Sequence, residues 1–332
     1  MSLSFFVIGC GSIGTRHIRN LCALGFKEII AFDPKMDRRS TVMSAFDIVA
    51  VDSLAAGFEM RPGAVIICTP PHLHLPLAEQ TVESGAHLFV EKPLALSLAG
   101  IDNLLGAAQQ KNLVFMVGYN LRFDPGLQRM KELIDAGRIG RLVALQAEFG
   151  QYLPDWRPAE DYRKGYNARS SMGGGIILDA SHEVDYLRWL GGDVESVFAM
   201  AAQLGNLQID VEDIASITLR FSSGAIGHAH LDSLQRSYSR YCKAVGTDGT
   251  VIWNPDQNVK LYSSNSREWK LYDFRTDPND SYVQELTHFA ACIKNGNRPL
   301  VSGHDGRQAL AITDAVKESV ESRCEVMVAQ VD

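Results

Sequence analysis

The chain has 332 residues, of which 46% are hydrophobic, and a formal net charge of −7 at pH 7. This length and apolar content predict two globular domains, and the excess of acidic residues argues against a sequence-wide attraction for nucleic acid or an anionic membrane surface. No apolar run reaches the roughly 20 residues of a membrane span, and no basic leader precedes an apolar signal segment, so we expect a cytoplasmic protein without a membrane partner. The six scattered cysteines form no C-x-x-C pair, which argues against a zinc site, a redox motif or a disulfide framework.

A glycine-rich turn joins the first predicted strand to the first predicted helix. The stretch LSFFVIGCGSIGTRHIRNLCALG begins with an apolar run of strand length and continues with apolar residues at helical spacing. In the turn, Gly9, Gly11 and Gly14 form G-x-G-x-x-G: the first permits a tight turn, the second admits a pyrophosphate, and the third lets the helix pack on the strand. Because unpaired N–H groups at a helix N-terminus bind phosphate, we expect a dinucleotide loop formed by Gly9, Gly11, Ser12, Ile13 and Gly14.

An acidic residue ends the second predicted strand. The short strand EIIAFD closes with Asp33, near the spacing of about 20 residues expected for a ribose-binding acid. Its carboxylate would accept hydrogen bonds from the adenosine ribose and repel a 2′-phosphate, which favours NAD over NADP. The basic residues Lys35, Arg38 and Arg39 follow Asp33 closely, and their positive charges weaken its repulsion of the 2′-phosphate. NADP therefore stays an alternative cofactor. The other interpretation of Asp33 is a turn residue before Pro34.

Strands and helices continue to alternate through the first third of the chain. AVIICT, HLFVEK and VFMVGYN are of strand length, and helices are predicted from about Leu75 to Ser84 and from about Leu98 to Gln110. This order is typical of a doubly wound parallel sheet that binds its ligands at the carboxyl ends of the strands.

Polar residues follow two of these strands. CTPPHLH carries Thr69, Pro70, His72 and His74, and VEKPLAL carries Glu91 and Lys92. H-x-H without a third nearby ligand is more typical of loop hydrogen bonding than of a metal site, so no metal is predicted. Lys92 either pairs with Glu91 at the surface or, in a cofactor crevice, holds a substrate hydroxyl and stabilises an alkoxide.

A later stretch, GGGIILDASHEVDYLRWL at residues 173–190, combines ionisable residues with apolar ones. In one interpretation Asp179 caps a helix and His182 faces water. In the other, Asp179 and His182 lie one turn apart and carry out proton chemistry. The stretch by itself leaves both interpretations open.

The alternation of strands and helices stops after about Gly118. A helix is predicted from Pro125 to Ala136, and the rest contains paired strands joined by S-S-G and D-G turns, which predict a mostly antiparallel sheet. We therefore predict a dinucleotide-binding domain at residues 1–118. Residues 119–332 would form an α+β domain for substrate binding and oligomerisation, with a final helix that packs back on the first domain.

Together, GCGSIG, VEKPLAL and GGGIILDASHEVDYL resemble the Gfo/Idh/MocA family of glucose-fructose oxidoreductases and inositol dehydrogenases. The resemblance runs over nearly the whole chain. It implies an N-terminal Rossmann domain that binds a nicotinamide cofactor, a mixed C-terminal domain whose broad sheet forms a dimer or tetramer interface, and oxidoreductase activity. By the same resemblance, Lys92, Asp179 and His182 are the catalytic residues, and the cofactor is lined by Thr69, Pro70, His74, Glu91 and Lys92.

The chain departs from the family pattern at two places. Pro71 stands where the family usually has Asn, which removes one side-chain contact to the cofactor. The late motif is D-x-x-H where the family commonly has D-x-x-x-H, so one residue is missing between Asp179 and His182. His182 keeps its spacing to Asp185, and the catalytic assignment of His182 is the better supported of the two.

Several residues are candidates for substrate binding. GYNLRFDP resembles the family's entry into the second domain, and the arginine- and aromatic-rich stretches WRPAEDYRKGYNARSS and DSLQRSYSRY suit a sugar or nucleotide sugar. The predicted substrate residues are Asn120, Arg122, Asp185, Arg163 and Arg236. The alternative is that these arginines form surface ion pairs.

Three functions therefore compete on the sequence. The first is hydride transfer between a sugar, nucleotide-sugar or polyol hydroxyl carbon and nicotinamide C4, with His182 as base and Lys92 as alkoxide stabiliser. The second is a redox-neutral, NAD-dependent cleavage of a glycoside, and the third is a dinucleotide sensor without catalysis. A sensor would not require Lys92 and His182 together.

Overall fold

The computed structural model describes residues 3–255, 258–274 and 277–330. By its internal contacts the chain divides into two units. The first contains the residues up to Asn120 together with Asn279–Arg307, and the second contains Leu121–Pro278 and the residues from Gln308 onward. The segment Asn279–Arg307 thus groups with the first unit, whereas the division by sequence assigned it to the second domain.

The apolar runs of the first third form a parallel sheet. Within the described ranges its six strands are β1 (Phe5–Ile8), β2 (Ile29–Phe32), β3 (Val49–Ala50), β4 (Ala64–Ile67), β5 (His87–Glu91) and β6 (Phe115–Gly118). They lie in the order β3-β2-β1-β4-β5-β6, and each adjacent pair is parallel. All residues of β1 and β4 are buried, as expected for strands covered on both faces. This confirms the predicted doubly wound parallel sheet.

Helices connect these strands. They are α1 (Ser12–Ala23), α2 (Met36–Ala45), α3 (Leu54–Glu59), α4 (His74–Ser84) and α5 (Ile101–Gln110). The sequence analysis did not identify α2, α3 or the two-residue strand β3, since α2 buries only Val42 and β3 buries neither residue. Weak apolar periodicity leaves such peripheral elements without a clear sequence signal.

The second unit contains a larger sheet. Its nine strands in the described part of the chain are β7 (Leu142–Gly150), β8 (Val194–Ala202), β9 (Ile214–Phe221), β10 (Ile226–Asp232), β11 (Ser239–Gly246), β12 (Gly249–Asn254), β13 (Asn258–Ser263), β14 (Glu268–Asp273) and β15 (Val326–Met327). They lie in the order β14-β13-β12-β11-β7-β10-β9-β8-β15. Only β7 and β10 pair in parallel among these described strands, so the predicted mostly antiparallel sheet is confirmed.

One face of this sheet is buried. Along β9 the burial alternates, with Ile217, Leu219 and Phe221 inside and the residues between them exposed. On β8, Val197 and Ala199 are buried in the same way. The burial alternates because successive side chains of a strand point to opposite faces.

Six further helices follow in chain order: α6 (Pro125–Asp135), α7 (Leu153–Trp156), α8 (Ile176–Asp179), α9 (Ser181–Gly191), α10 (Asp280–Asn295) and α11 (Gly303–Ser322) in the residues described. Asp124 caps α6 by accepting the Leu127 N–H at 2.9 Å, and Pro125 occupies its first turn. No helix in the described ranges combines the length and apolarity that a membrane span requires.

Candidate active site

The glycine loop forms a tight turn between β1 and α1. Gly9 has φ of +99°, and a Cβ there would lie 2.6 Å from the carbonyl oxygen of Cys68. A Cβ at Gly14 would overlap the carbonyl oxygen of Gly9, so α1 can approach β1 only because both residues are glycine. Gly11 is the N-cap of α1, and no described side chain caps its N–H groups. The loop therefore fits a pyrophosphate, because the first N–H groups of a helix require an external acceptor.

Asp33 lies directly after β2 and is 3% exposed. One carboxylate oxygen accepts the backbone N–H of Cys10 in the glycine loop at 2.9 Å, and the other accepts the N–H of Lys35 at 2.9 Å. Arg38 Nη1 lies 3.5 Å from the first of these oxygens, and Arg39 donates to the Asp33 carbonyl at 2.6 Å. Asp33 thus joins the ends of β1 and β2, and two guanidinium groups lie beside it.

The loop after β4 carries Thr69, Pro70 and the first residue of α4, His74. Thr69 Oγ1 is buried and makes no hydrogen bond to any residue that the structure describes, and a buried hydroxyl without a partner indicates room for an external one. The ring of His74 lies between two carbonyl oxygens, with Nδ1 2.8 Å from Pro93 O and Nε2 2.8 Å from Thr69 O. Burial holds the pKa of His74 below its ordinary value, and the two carbonyl contacts offset this effect only in part.

Glu91, the last residue of β5, points to the interior. Its Oε1 lies 2.6 Å from His17 Nε2 on α1, and its Oε2 accepts the backbone N–H of Lys92 at 3.3 Å. Glu285 on α10 lies close by, is 0% exposed, and neither of its carboxylate oxygens has a hydrogen-bond partner among the described residues. Burial, followed by the charge of Glu91, raises the pKa of the Glu285 carboxyl well above its usual range. This shift favours the protonated form of Glu285.

The ligand atoms of His17, Glu91 and Glu285 lie within 4.8 Å of one another, a spacing that a metal ion could bridge. However, the 2.6 Å between His17 and Glu91 is that of a charge-assisted hydrogen bond. Two ligands bound at about 2.0–2.2 Å to one ion lie roughly 3 Å or more apart. The geometry thus supports a hydrogen-bonded pair of His17 and Glu91, with Glu285 next to it.

In the second unit, Asp179 and His182 do not share one continuous helix. Asp179 ends α8, and His182 lies in the first turn of α9 after a break at Ala180. The helix-cap interpretation of Asp179 is wrong: Ala180 is the N-cap of α9, and no side chain of the described ranges caps it. Instead, the buried amide of Asn167 donates to Asp179 Oδ1 at 2.8 Å.

Two acids that follow His182 on α9 form ion pairs, one of them buried and the other partly buried. Arg122 binds Asp185 through two hydrogen bonds of 2.8 and 2.6 Å, and both residues are 2% exposed. Arg240 Nε lies 2.8 Å from Glu183 Oε1. The guanidinium of Arg122 and the carboxylate of Asp185 therefore bind each other. That either residue contacts substrate stays a prediction.

The other predicted substrate residues also have partners within the chain. Arg163 forms an exposed pair with Asp161 at 2.7 Å, which agrees with the surface ion-pair alternative. Arg236 stacks on the ring of Tyr152 at 3.6 Å from its centroid. Asn120, in the first unit, donates its amide to Ser281 Oγ at 2.8 Å.

The sequence analysis did not single out His17, Asn167 or Glu285 as functional residues. His17 and Glu285 are polar residues on the buried faces of α1 and α10, where apolar residues are expected. A polar residue at an apolar position of a helix can be recognised in the sequence. The sequence does not show which residue it contacts.

An open helix N-terminus, an acid after β2 and a lysine after β5 together define a dinucleotide-dependent oxidoreductase with a Rossmann domain. Residues 3–119 match the family model described as an oxidoreductase family with an NAD-binding Rossmann fold, and residues 127–252 match the GFO/IDH/MocA C-terminal domain. The chain belongs to the GFO/IDH/MocA family, and its cofactor is a nicotinamide adenine dinucleotide.

Known proteins resemble the chain over its full length. It is 30% identical to myo-inositol 2-dehydrogenase of Thermotoga maritima, with 98% of each chain covered. It is also 30% identical to scyllo-inositol 2-dehydrogenase (NAD(+)) of Bacillus subtilis, with 94% of this chain and 92% of the relative covered. The structure of levoglucosan dehydrogenase in complex with NADH has the same fold, with a TM-score of 0.91 at 23% identity and 100% coverage of both chains.

Proposed function

We propose that the chain is a dehydrogenase that transfers hydride between a hydroxyl carbon of a sugar or polyol and nicotinamide C4, with Lys92 and His182 as catalytic residues. The observation that carries the proposal is the position of Lys92. It follows β5 at the same edge of the parallel sheet as the glycine loop after β1, because β1, β4 and β5 are neighbours and their carboxyl ends meet there. The inositol dehydrogenases among the relatives support this class of substrate.

Within this proposal, each residue has a distinct role. The Lys92 ammonium donates hydrogen bonds to the reacting oxygen and stabilises the alkoxide that develops on it. His182 accepts the hydroxyl proton, and Asp179, oriented by Asn167, supports that transfer. The bound nicotinamide ring supplies the hydride acceptor in oxidation and the donor in reduction.

We propose that the cofactor is NAD in preference to NADP. Asp33 has its carboxylate at the end of β2, where it would face the adenosine ribose, and a 2′-phosphate there would meet a buried negative charge. Arg38 and Arg39 lie close to Asp33, so we expect a preference for NAD with residual use of NADP.

We further propose that the substrate is uncharged, in preference to a nucleotide sugar. A charged sugar would require arginines free to bind phosphate or carboxylate. Arg122, Arg163 and Arg240 each pair with an acid of the same unit. Arg236 stacks on the ring of Tyr152. A neutral polyol needs no such group, since hydrogen bonds to hydroxyls suffice.

Exposed apolar residues on the large sheet support a homo-oligomer, which we propose is a dimer or tetramer. The strand registers put these side chains on the outer face, opposite the buried residues of β9. They are Phe198, Met200, Ile226, Trp269 and Leu271. An exposed apolar patch of this kind favours association.

The Phe198→Glu variant tests this interface. Its oligomer should contain fewer subunits than that of the unaltered protein and should sediment more slowly. An unchanged molecular mass by light scattering would contradict this interface.

The six cysteines, all within the described ranges, are unpaired. Free thiols are typical of a reducing compartment. This supports the expectation of a cytoplasmic location.

The first experiment is a fluorescence titration of cofactor-stripped protein with NADH and NADPH. An absorbance assay at the NADH band follows, with inositols, simple sugars and nucleotide sugars. Substrate-dependent formation of NADH from NAD would support the dehydrogenase, and a response confined to nucleotide sugars would contradict the neutral substrate. Binding without net absorbance change would favour the redox-neutral enzyme or the sensor.

The Lys92→Ala variant tests the catalytic assignment. Loss of the alkoxide stabiliser should lower kcat by about 10² to 10³-fold and leave NADH affinity nearly unchanged. Lys294→Ala is the matched control, since Lys294 is an exposed lysine of the same unit. Normal turnover in Lys92→Ala would refute the assignment.

A further inference from the structure

Two buried histidines hold the chain on either side of Lys92. The residue before it, Glu91, is bound by His17 Nε2 at 2.6 Å, and the carbonyl of the residue after it, Pro93, lies 2.8 Å from His74 Nδ1. His17 is 0% exposed and His74 is 1% exposed. Neither ring is therefore a surface group, and each contacts the backbone or side chain of a residue adjacent to Lys92.

His74 has a second contact that leads to the cofactor loop. Its Nε2 lies 2.8 Å from the carbonyl oxygen of Thr69, in the loop that follows β4. One ring thus spans the loops after two neighbouring strands, the first beside the proposed cofactor site and the second carrying Lys92. Carbonyl oxygens only accept hydrogen bonds, so a neutral His74 ring, which carries one N–H, donates to one of the two carbonyls, and an imidazolium donates to both.

We propose that His74 is a positioning residue that fixes Lys92 through Pro93 and the cofactor loop through Thr69, while His17 fixes Glu91 on the other side of Lys92. The proposal rests on the proposed function, in which Lys92 acts on the reacting oxygen. A lysine side chain has four rotatable bonds, so the position of its ammonium depends on a fixed backbone. A displacement of about 1 Å in a catalytic group lowers the rate by about 10²-fold.

The two contacts of His74 can be separated by two amide substitutions. In His74→Asn, the side-chain nitrogen takes the place of Nδ1 and can still donate to Pro93. In His74→Gln, the nitrogen takes the place of Nε2 and can still donate to Thr69. Both variants bury one neutral amide at the same position, so each serves as the control for the other.

We expect opposite effects in the two variants. His74→Asn should keep kcat within about threefold of the unaltered protein and bind NADH about 10-fold more weakly. His74→Gln should keep its NADH affinity and lose about 10- to 100-fold in kcat. The measurements are kcat at saturating substrate, the Kd of NADH by fluorescence titration, and the urea midpoint of unfolding, which should be similar for both variants.

A parallel loss of kcat, NADH affinity and stability in both variants would overturn the proposal, because it is the result expected of a purely structural histidine. Unchanged values in both would overturn it as well. Lys92→Ala is measured in the same series. If it retains turnover, the proposed function fails; if it loses turnover while the His74 variants behave alike, only the positioning role fails.

If a His74 variant does not fold, a second pair of variants, at His17, tests the positioning of the Lys92 segment. His17→Gln keeps a donor for Glu91, and His17→Leu removes it. We expect His17→Gln to retain kcat, and His17→Leu to lose about 10-fold or more in kcat with an unchanged Kd for NADH. Equal turnover in the two His17 variants would overturn the proposal.

Discussion

The buried pair of Arg122 and Asp185 provides a direct test of whether these residues are structural or bind substrate. The guanidinium and carboxylate form two hydrogen bonds, of 2.8 and 2.6 Å, and both residues are 2% exposed. Replacing Asp185 with Asn keeps the shape of the side chain and removes its charge. The Arg122 guanidinium then stays in the interior without its counter-ion.

The expected cost follows from that burial. Breaking a buried ion pair by removing one partner destabilises a protein by about 3–5 kcal/mol, which is a large part of the about 5–15 kcal/mol that keeps a domain folded. For a unit of roughly 150–250 residues, each kcal/mol shifts Tm by about 2–4 °C. We therefore expect Asp185→Asn to lower the Tm of the second unit by about 6–20 °C.

Urea unfolding followed by far-UV circular dichroism and tryptophan fluorescence measures this cost, and steady-state kinetics on the same sample measures KM. Asp161→Asn is the control, because it removes one acid of an exposed pair and should leave the unfolding midpoint unchanged. The double variant Arg122→Met, Asp185→Leu should recover most of the lost stability, since an apolar pair of similar volume often replaces a buried ion pair without penalty.

Two outcomes would contradict these predictions for the Arg122–Asp185 pair. If Asp185→Asn unfolds at the same urea concentration as the unaltered protein but raises the KM for substrate at least 10-fold, Asp185 binds substrate. If the double variant is less stable than Asp185→Asn, the ion pair stabilises the folded protein more than an apolar pair of similar volume does. The expected recovery of stability is then wrong.

Two further predictions use the acids of the first unit. Asp33→Ala should weaken NADH binding more than NADPH binding, because the lost carboxylate both binds the ribose hydroxyl and repels a 2′-phosphate; equal losses in fluorescence titrations would contradict its role. Glu285→Gln should stabilise the protein increasingly as pH rises above 4.5, over the range in which the raised pKa keeps Glu285 protonated in the folded chain. The folded chain retains a proton on Glu285 that the unfolded chain releases above the ordinary pKa of 4.5, so the unaltered protein loses about 1.4 kcal/mol per pH unit until the pH reaches the folded pKa. Urea midpoints measured at a series of pH values above 4.5 check this, and an advantage of the variant that shrinks as pH rises would contradict the direction of the pKa shift.

The sequence by itself determined the architecture and the class of cofactor. Continuous apolar runs separated by helices predict a parallel sheet because such strands are buried on both faces, and paired strands joined by S-S-G and D-G turns predict the mostly antiparallel second sheet. The glycine loop and Asp33 were identified because their roles depend on residue type at short, fixed spacing. Each of these patterns lies within a short stretch of sequence, so it can be identified from the sequence without knowing the tertiary contacts.

Tertiary structure alone decided which polar residues meet. His17 and Glu91 are separated by 74 positions and Arg122 and Asp185 by 63, distances at which no sequence period relates two side chains. The family resemblance offered Arg122 and Asp185 as substrate residues, and the fold buries their two charges against each other. Burial makes each unpaired charge costly, so the pairing of distant charges depends on how the elements pack.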